Sequence, residues 1–239
     1  MIARLIDSSY EIISPTLSSS QQELLKYIAI VTMAICHFGV VFSPEEYIYY
    51  YIGRVSFPIF AFLMVYNYIH HTKSPINYIS RIVLMGIVAQ PIYADTVGEG
   101  SSLLNIMFTL GAGLFLIYMM DLVANSESKI KQYSIGYAIG GFFLFAGIFV
   151  DYIHLGLILI IAYWVWLRFP QANTLYGAIA ATVLMLLPSG YEVIVAGLSF
   201  FGILMIVMSI DVRVPRLNKW LYYVFYPAHL IVIQLARIF

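Results

Sequence analysis

Apolar residues run along this chain in long blocks separated by short polar stretches. A bilayer core about 30 Å thick takes roughly 20 apolar helical residues per crossing. Nine blocks approach that length: 24–42, 49–69, 78–94, 103–122, 133–150, 153–168, 173–189, 191–210 and 220–238. Strands of a membrane barrel would instead alternate apolar and polar positions over about ten residues, a pattern the chain lacks. The pattern predicts an all-α, polytopic integral membrane protein, with about nine transmembrane helices in one bundle over residues 24–239. Residues 1–23 carry Arg4, Asp7, Glu11, Pro15 and the run Ser18–Ser20. They are too polar for a signal-peptide core, so no cleaved leader is expected and they read as a cytoplasmic tail or surface helix. No internal repeat of the kind that builds inverted-topology transporters stands out.

Composition sharpens the picture. The chain is 62% hydrophobic and only 10% charged, against about 25% charged for soluble domains. Twelve Lys and Arg balance twelve Asp and Glu. No basic excess exists to neutralise a phosphate backbone, which argues against a nucleic-acid partner. A single cysteine excludes a disulfide framework and a cysteine-based zinc site, and no metal is expected. Simple alternation of the nine spans puts Arg4, Lys26, Lys73, Arg81, Lys129, Lys131, Arg168, Arg213, Arg216 and Lys219 on one face. The other face holds Glu45, Glu46, Asp95, Glu99, Asp151 and Glu192, with Arg237 its one basic residue. Positive charge marks the cytoplasmic side, so the N-terminus is expected inside and the C-terminus outside.

Ionisable residues within a span are costly, roughly 2.5–3.5 kcal/mol on insertion scales, and are candidates for function. Four stand out: His37, Arg54, Asp151 and His229. A rise of about 1.5 Å per residue puts the first three in the outer half of the bilayer and His229 near its middle. Tyr222, Tyr226 and His229 fall on one helix face by their spacing. Pro58 and Pro227 should kink their helices beside Arg54 and His229. Structural readings stand beside the functional ones. The histidines could be interhelical hydrogen-bonding groups, Arg54 could snorkel outward, and Asp151 could cap the next helix. Asn67, Gln90, Asn105 and Gln234 suit interhelical bonding.

In a partly dry cavity, a histidine can act as general base or take up an acyl group. An arginine can stabilise an oxyanion. No H-E-x-x-H, Walker loop, G-x-S-x-G or dinucleotide fingerprint occurs, so metalloprotease, NTPase and serine-hydrolase readings have no support.

Several segments together carry a resemblance. Span one runs from Leu25 to Ile35-Cys36-His37, and span two carries Gly53-Arg54-Val55-Ser56-Phe57-Pro58-Ile59-Phe60-Ala61. Then come Ser80-Arg81, Ala89-Gln90-Pro91, Asn105-Ile106-Met107-Phe108-Thr109, Asp151-Tyr152 with Gly156, and Phe225-Tyr226-Pro227-Ala228-His229-Leu230. Their order and spacing resemble the TraX family of conjugative pilin N-acetyltransferases from about residue 24 to 235. The resemblance implies roles for His37, Arg54, Arg81, Asn105, Asp151, Tyr152, Tyr226 and His229. It implies acetyl-CoA as donor and the amino terminus of a processed pilin in the bacterial inner membrane as acceptor.

In that scheme, Lys73, Arg81, Arg213, Arg216 and Lys219 would meet the donor's phosphates, although positive-inside topology also explains them. His37 would be base or acyl carrier. Arg54 and Asn105 would hold the oxyanion, while His229 and Tyr226 position the acyl group or relay a proton. The family usually has Asp where this chain has Cys36. If that carboxylate orients the histidine, Asp151 is the expected substitute. The rival classes are a proton-coupled transporter or channel and a non-enzymatic partner of pilin assembly. Within the enzyme class, the rival is acetylation of a sugar or lipid at the outer face.

Overall fold

A computed structural model describes residues 15–96, 103–187 and 191–238. Each of the nine expected segments is helical over most of its described residues. Among the described residues, ten helices make nine rod-like segments: α1 (Ser19–Phe42), α2 (Tyr47–Gly53) with α3 (Ser56–His71), α4 (Pro75–Thr96), α5 (Ile106–Ala124), α6 (Lys129–Phe149), α7 (Ile153–Arg168), α8 (Ala172–Leu186), α9 (Tyr191–Ser209) and α10 (Lys219–Ile238). Five segments are long and apolar enough to cross a bilayer: α1, α2 with α3, α5, α6 and α10. Helices α7, α8 and residues 194–209 of α9 are apolar but shorter. The described residues contain no strand beyond one isolated bridge between Leu104 and Val150. The protein is therefore an all-helical membrane protein.

Two boundaries differ from the expectation for local reasons. Helix α1 starts at Ser19 and not at 24, because Ser18 and Gln21 form a capping box. The segment before it is tethered, with Leu17 buried and its amide donating to the Tyr66 hydroxyl at 3.1 Å. Residues 1–14 of the expected tail lie outside the described residues. Span two is not a continuous helix kinked at Pro58. It breaks at Arg54–Val55, and Pro58 sits in the first turn of α3, where a missing N–H is harmless. Arg54 sits at this break with its amide donating to the Tyr51 carbonyl at 3.1 Å.

Helices α1 and α3 divide the bundle. On one side α3, α7, α8, α9 and α1 enclose a solid core. Phe62, Tyr163, Trp166 and Phe200 pack there, with centroids 5.5 Å (Phe62–Phe200) and 6.1 Å (Phe62–Tyr163) apart. The Tyr163 hydroxyl pairs with Thr182 Oγ1 at 3.2 Å. On the other side α1, α3, α4, α5 and α10 enclose a cavity of about 510 Å³. Helix α6 packs at the periphery against α5 and α7. In a bilayer such packing rests on van der Waals fit and interhelical hydrogen bonds, since lipid is as apolar as the side chains.

Candidate active site

The cavity opens among cations. Lys26, Lys73, Arg81 and Arg216 line it with Asn67, Asn77 and Tyr222. Arg213 is not among its lining residues, and the Lys219 side chain lies outside the described ones. Glu23 is nearly fully buried beside the opening. Its carboxylate accepts from Lys26 Nζ at 2.7 Å and from the Tyr222 hydroxyl, and Lys26 also sits 4.9 Å above the Tyr222 ring. The acid thus holds a cation and a phenol in place at the mouth.

Helix periodicity explains how mouth and depth connect. Lys26, Ile30 and Met33 line the cavity from α1, and His37 follows on the same face one turn further. From Lys26 to His37 is about 16 Å along the axis at 1.5 Å per residue. On α10, Tyr222 and Tyr226 line the cavity and His229 comes next on their face. Phe225 and Tyr226 form the inner wall. His229 stacks on Phe225 at 5.0 Å, and the Tyr226 ring lies 6.5 Å from His37.

Beyond that wall the two histidines meet. His37 Nδ1 lies 2.7 Å from His229 Nε2, with the rings nearly parallel. His229 Nδ1 lies 2.8 Å from the Phe225 carbonyl oxygen. His229 is 8% exposed, and no other described imidazole is so enclosed. The resemblance groups these residues; the tertiary structure brings them together across 192 positions of sequence.

Arg54 sits at the α2–α3 break beside the pair. It lies within electrostatic reach of His37 and Cys36. Its guanidinium stacks on Tyr50 at 3.6 Å and Nη1 donates to the Tyr152 hydroxyl, while the buried Nε has no hydrogen-bond partner. The buried Tyr226 hydroxyl also has none. Arg54 does not snorkel outward.

Tyr152 and Ile153 both have positive φ, 58° and 50°. Such a conformation costs a non-glycine residue roughly 1–3 kcal/mol and persists only where surroundings enforce it. They do so here. Asp151 Oδ1 accepts the Tyr152 amide at 2.9 Å, and Thr109 Oγ1 donates to the Asp151 carbonyl at 2.8 Å. The Asp151 amide donates to the Leu104 carbonyl at 3.0 Å, and Tyr152 stacks on Phe57 at 4.7 Å. The turn presents the Tyr152 hydroxyl to Arg54.

Two expected roles change. Asp151 does not hydrogen-bond either histidine; its carboxylate serves the strained turn, and His229 occupies the position of partner to His37. Asn105 has no donor left for an oxyanion. It caps α5 through Oδ1, and its Nδ2 donates to the Gly86 carbonyl at 2.9 Å and to Gln90 Oε1 at 2.8 Å. Sequence reasoning passed over Tyr50, Tyr93 and Glu23. Tyr93 lies within electrostatic reach of Asp151 and Arg54. One tyrosine among twenty gives no signal alone. Glu23 carried one, as an acid three residues before Lys26 at the start of an apolar run. Among the described residues, no group of His, Cys, Asp and Glu is arranged to hold a metal ion.

Fold and site together define a helical membrane protein whose cationic cavity ends at a wall, formed by Phe225 and Tyr226, that backs a pair of imidazoles. The chain belongs to the TraX protein family, which it matches over residues 21–237. It is 23% identical over 90% of its length to a protein of Dichelobacter nodosus named probable fimbrial assembly protein FimC, serogroup H1, covering 95% of that protein. It is 32% identical over 100 residues to uncharacterized protein RP591 of Rickettsia prowazekii (strain Madrid E). That stretch is 42% of this chain and spans only 38% of the Rickettsia protein. No solved structure matches.

Proposed function

We propose that this protein is a membrane-embedded acetyltransferase that moves acetyl from cytoplasmic acetyl-CoA to the N-terminal amine of processed conjugative pilin. Family membership supports a pilin-linked role, and so does the fimbrial-assembly name of the Dichelobacter relative. The observation that carries the chemistry is the cavity itself. It runs from four cations at one end to the wall that backs the His37–His229 pair at the other.

In this reading the basic mouth faces the cytoplasm of a bacterial inner membrane, and the chain crosses nine times with its C-terminus periplasmic. Lys26, Lys73, Arg81 and Arg216 bind the donor's phosphates by charge-assisted hydrogen bonds. The apolar stretch between Met33, Leu63 and Met64 takes the acyl arm. The thioester lies at Tyr226, where His37 activates the incoming amine. Arg54 Nε and the Tyr226 hydroxyl are buried donors with no partner in the protein, which suits them to a developing oxyanion. They replace the Arg54–Asn105 pairing. Tyr152 holds the guanidinium from its other side.

The test compares pilin mass in cells with the wild-type chain, without it, and with His37→Ala. The expected result is one acetyl group at the first pilin residue in the wild type alone, at equal protein level. Acetylation retained in His37→Ala removes that residue from the chemistry. A pilin mass that never changes, with pilus assembly lost in the deletion, leaves the second reading: a non-enzymatic assembly partner, which the name of the Dichelobacter relative favours.

A further inference from the structure

The hydrogen bonds around the two histidines settle which nitrogen carries which proton. A backbone carbonyl only accepts, so His229 Nδ1 must be the protonated nitrogen facing Phe225 at 2.8 Å. Neutral His229 then has a bare Nε2. The 2.7 Å approach of His37 Nδ1 needs one hydrogen between the two nitrogens, and His37 must supply it. The bare nitrogen that remains is His37 Nε2. The chain of donors therefore runs His37 Nδ1–H to His229 Nε2, and His229 Nδ1–H to the Phe225 carbonyl.

We infer that His229 is a positioning residue that fixes the tautomer of His37, so that His37 Nε2 is the single base of the site. The inference rests on the acetyltransfer reading above and specifies its reacting atom. The arrangement does what a carboxylate does behind a catalytic imidazole, with another imidazole in its place. As a neutral amine attacks the thioester carbonyl, a C–N bond forms and His37 Nε2 takes the proton from nitrogen. The positive charge that develops is shared through Nδ1–H with His229, which the Phe225 carbonyl holds in register. When the tetrahedral intermediate collapses, the C–S bond breaks and His37 returns the proton to the leaving thiolate. One proton passes from nitrogen to sulfur, and both imidazoles end neutral.

Phe225 holds the pair in register through both its ring and its carbonyl. His229 lies nearly parallel to the Phe225 ring at 5.0 Å, and its other edge meets the His37 ring almost in one plane, centroids 5.1 Å apart, through the hydrogen bond. His229 cannot turn without leaving the Phe225 ring and breaking both hydrogen bonds together.

The experiment uses full-length protein in lipid nanodiscs, labelled with 15N-histidine. The chain has five histidines, and spectra of His37→Ala and His229→Ala assign the two signals. Expected is Nδ1–H with bare Nε2 at both residues, and a mixture of tautomers at His37 in His229→Ala. A wild-type His37 protonated on Nε2 overturns the inference. In acetyl transfer to a pilin N-terminal peptide, His229→Ala should lower kcat about 10²-fold with the KM for acetyl-CoA unchanged. His229→Gln should recover most of that loss, since its amide can accept from His37 Nδ1–H and donate to Phe225. Equal loss in the Ala and Gln variants, or a change confined to KM, also overturns it. If the wild type transfers no acetyl, the acetyltransferase reading falls, and the 15N spectra still judge the hydrogen-bond chain.

Discussion

The two halves of the bundle share α3 and differ in what they put against it. One face of α3 sends Phe62 into a solid block with Tyr163, Trp166 and Phe200. The neighbouring positions Phe60, Leu63, Met64 and Asn67 line an open cavity. Both faces are apolar, and side-chain chemistry alone does not tell them apart. The solid half is closed by α7, α8 and α9, of which α7 and α9 bring large rings inward, while the hollow half is walled by α4 and α10, which bring polar side chains and a proline each. Where ring area fills the space the bundle is a scaffold. Where it does not, polar groups converge and chemistry becomes possible.

Substitutions in the two halves should therefore fail differently. The largest effect is expected at the inner end of the cavity. Arg54→Gln should lower kcat for pilin acetylation by about 10²–10³, roughly 3–4 kcal/mol, the usual loss for one oxyanion donor. Thermal unfolding in detergent should shift little. A matching loss of stability would make Arg54 a structural group and blur the contrast between halves.

Phe62→Ala should do the reverse. Its cost should be about 1–3 kcal/mol of stability, below the roughly 3–5 found in soluble cores, because the ring is not withdrawn from water. Activity per folded molecule should be retained. Unchanged stability would show that the aromatic block is not the scaffold.

The smallest effect is expected at the cavity mouth. Arg81→Gln should raise the KM for acetyl-CoA about tenfold, near 1.4 kcal/mol, and leave kcat alone. The rise should shrink as salt is added, because the site is partly exposed. No change in KM would leave the mouth cations with a topological role only.

How much of this was legible before folding follows from the range of each signal. Helix periodicity is local. It placed Tyr222, Tyr226 and His229 on one face, and each span within a few residues of a helix. The cost of an ionisable group in lipid is likewise a property of one residue and its neighbours, so His37, Arg54, Asp151 and His229 could be singled out. Family resemblance added Tyr152, Arg81 and Asn105, but not what each one touches.

Lateral partners were a different matter. Nine apolar rods pack through surfaces that are chemically alike, so the pattern along one rod does not name its neighbour. Only the folded bundle set His37 against His229 and occupied Asp151 with a strained turn. Only it saturated Asn105 and left Arg54 Nε and the Tyr226 hydroxyl without partners. Segmentation and the depth of each polar group belong to the sequence. Which polar groups face each other is decided in three dimensions, because shape complementarity between distant helices has no signature in either one alone.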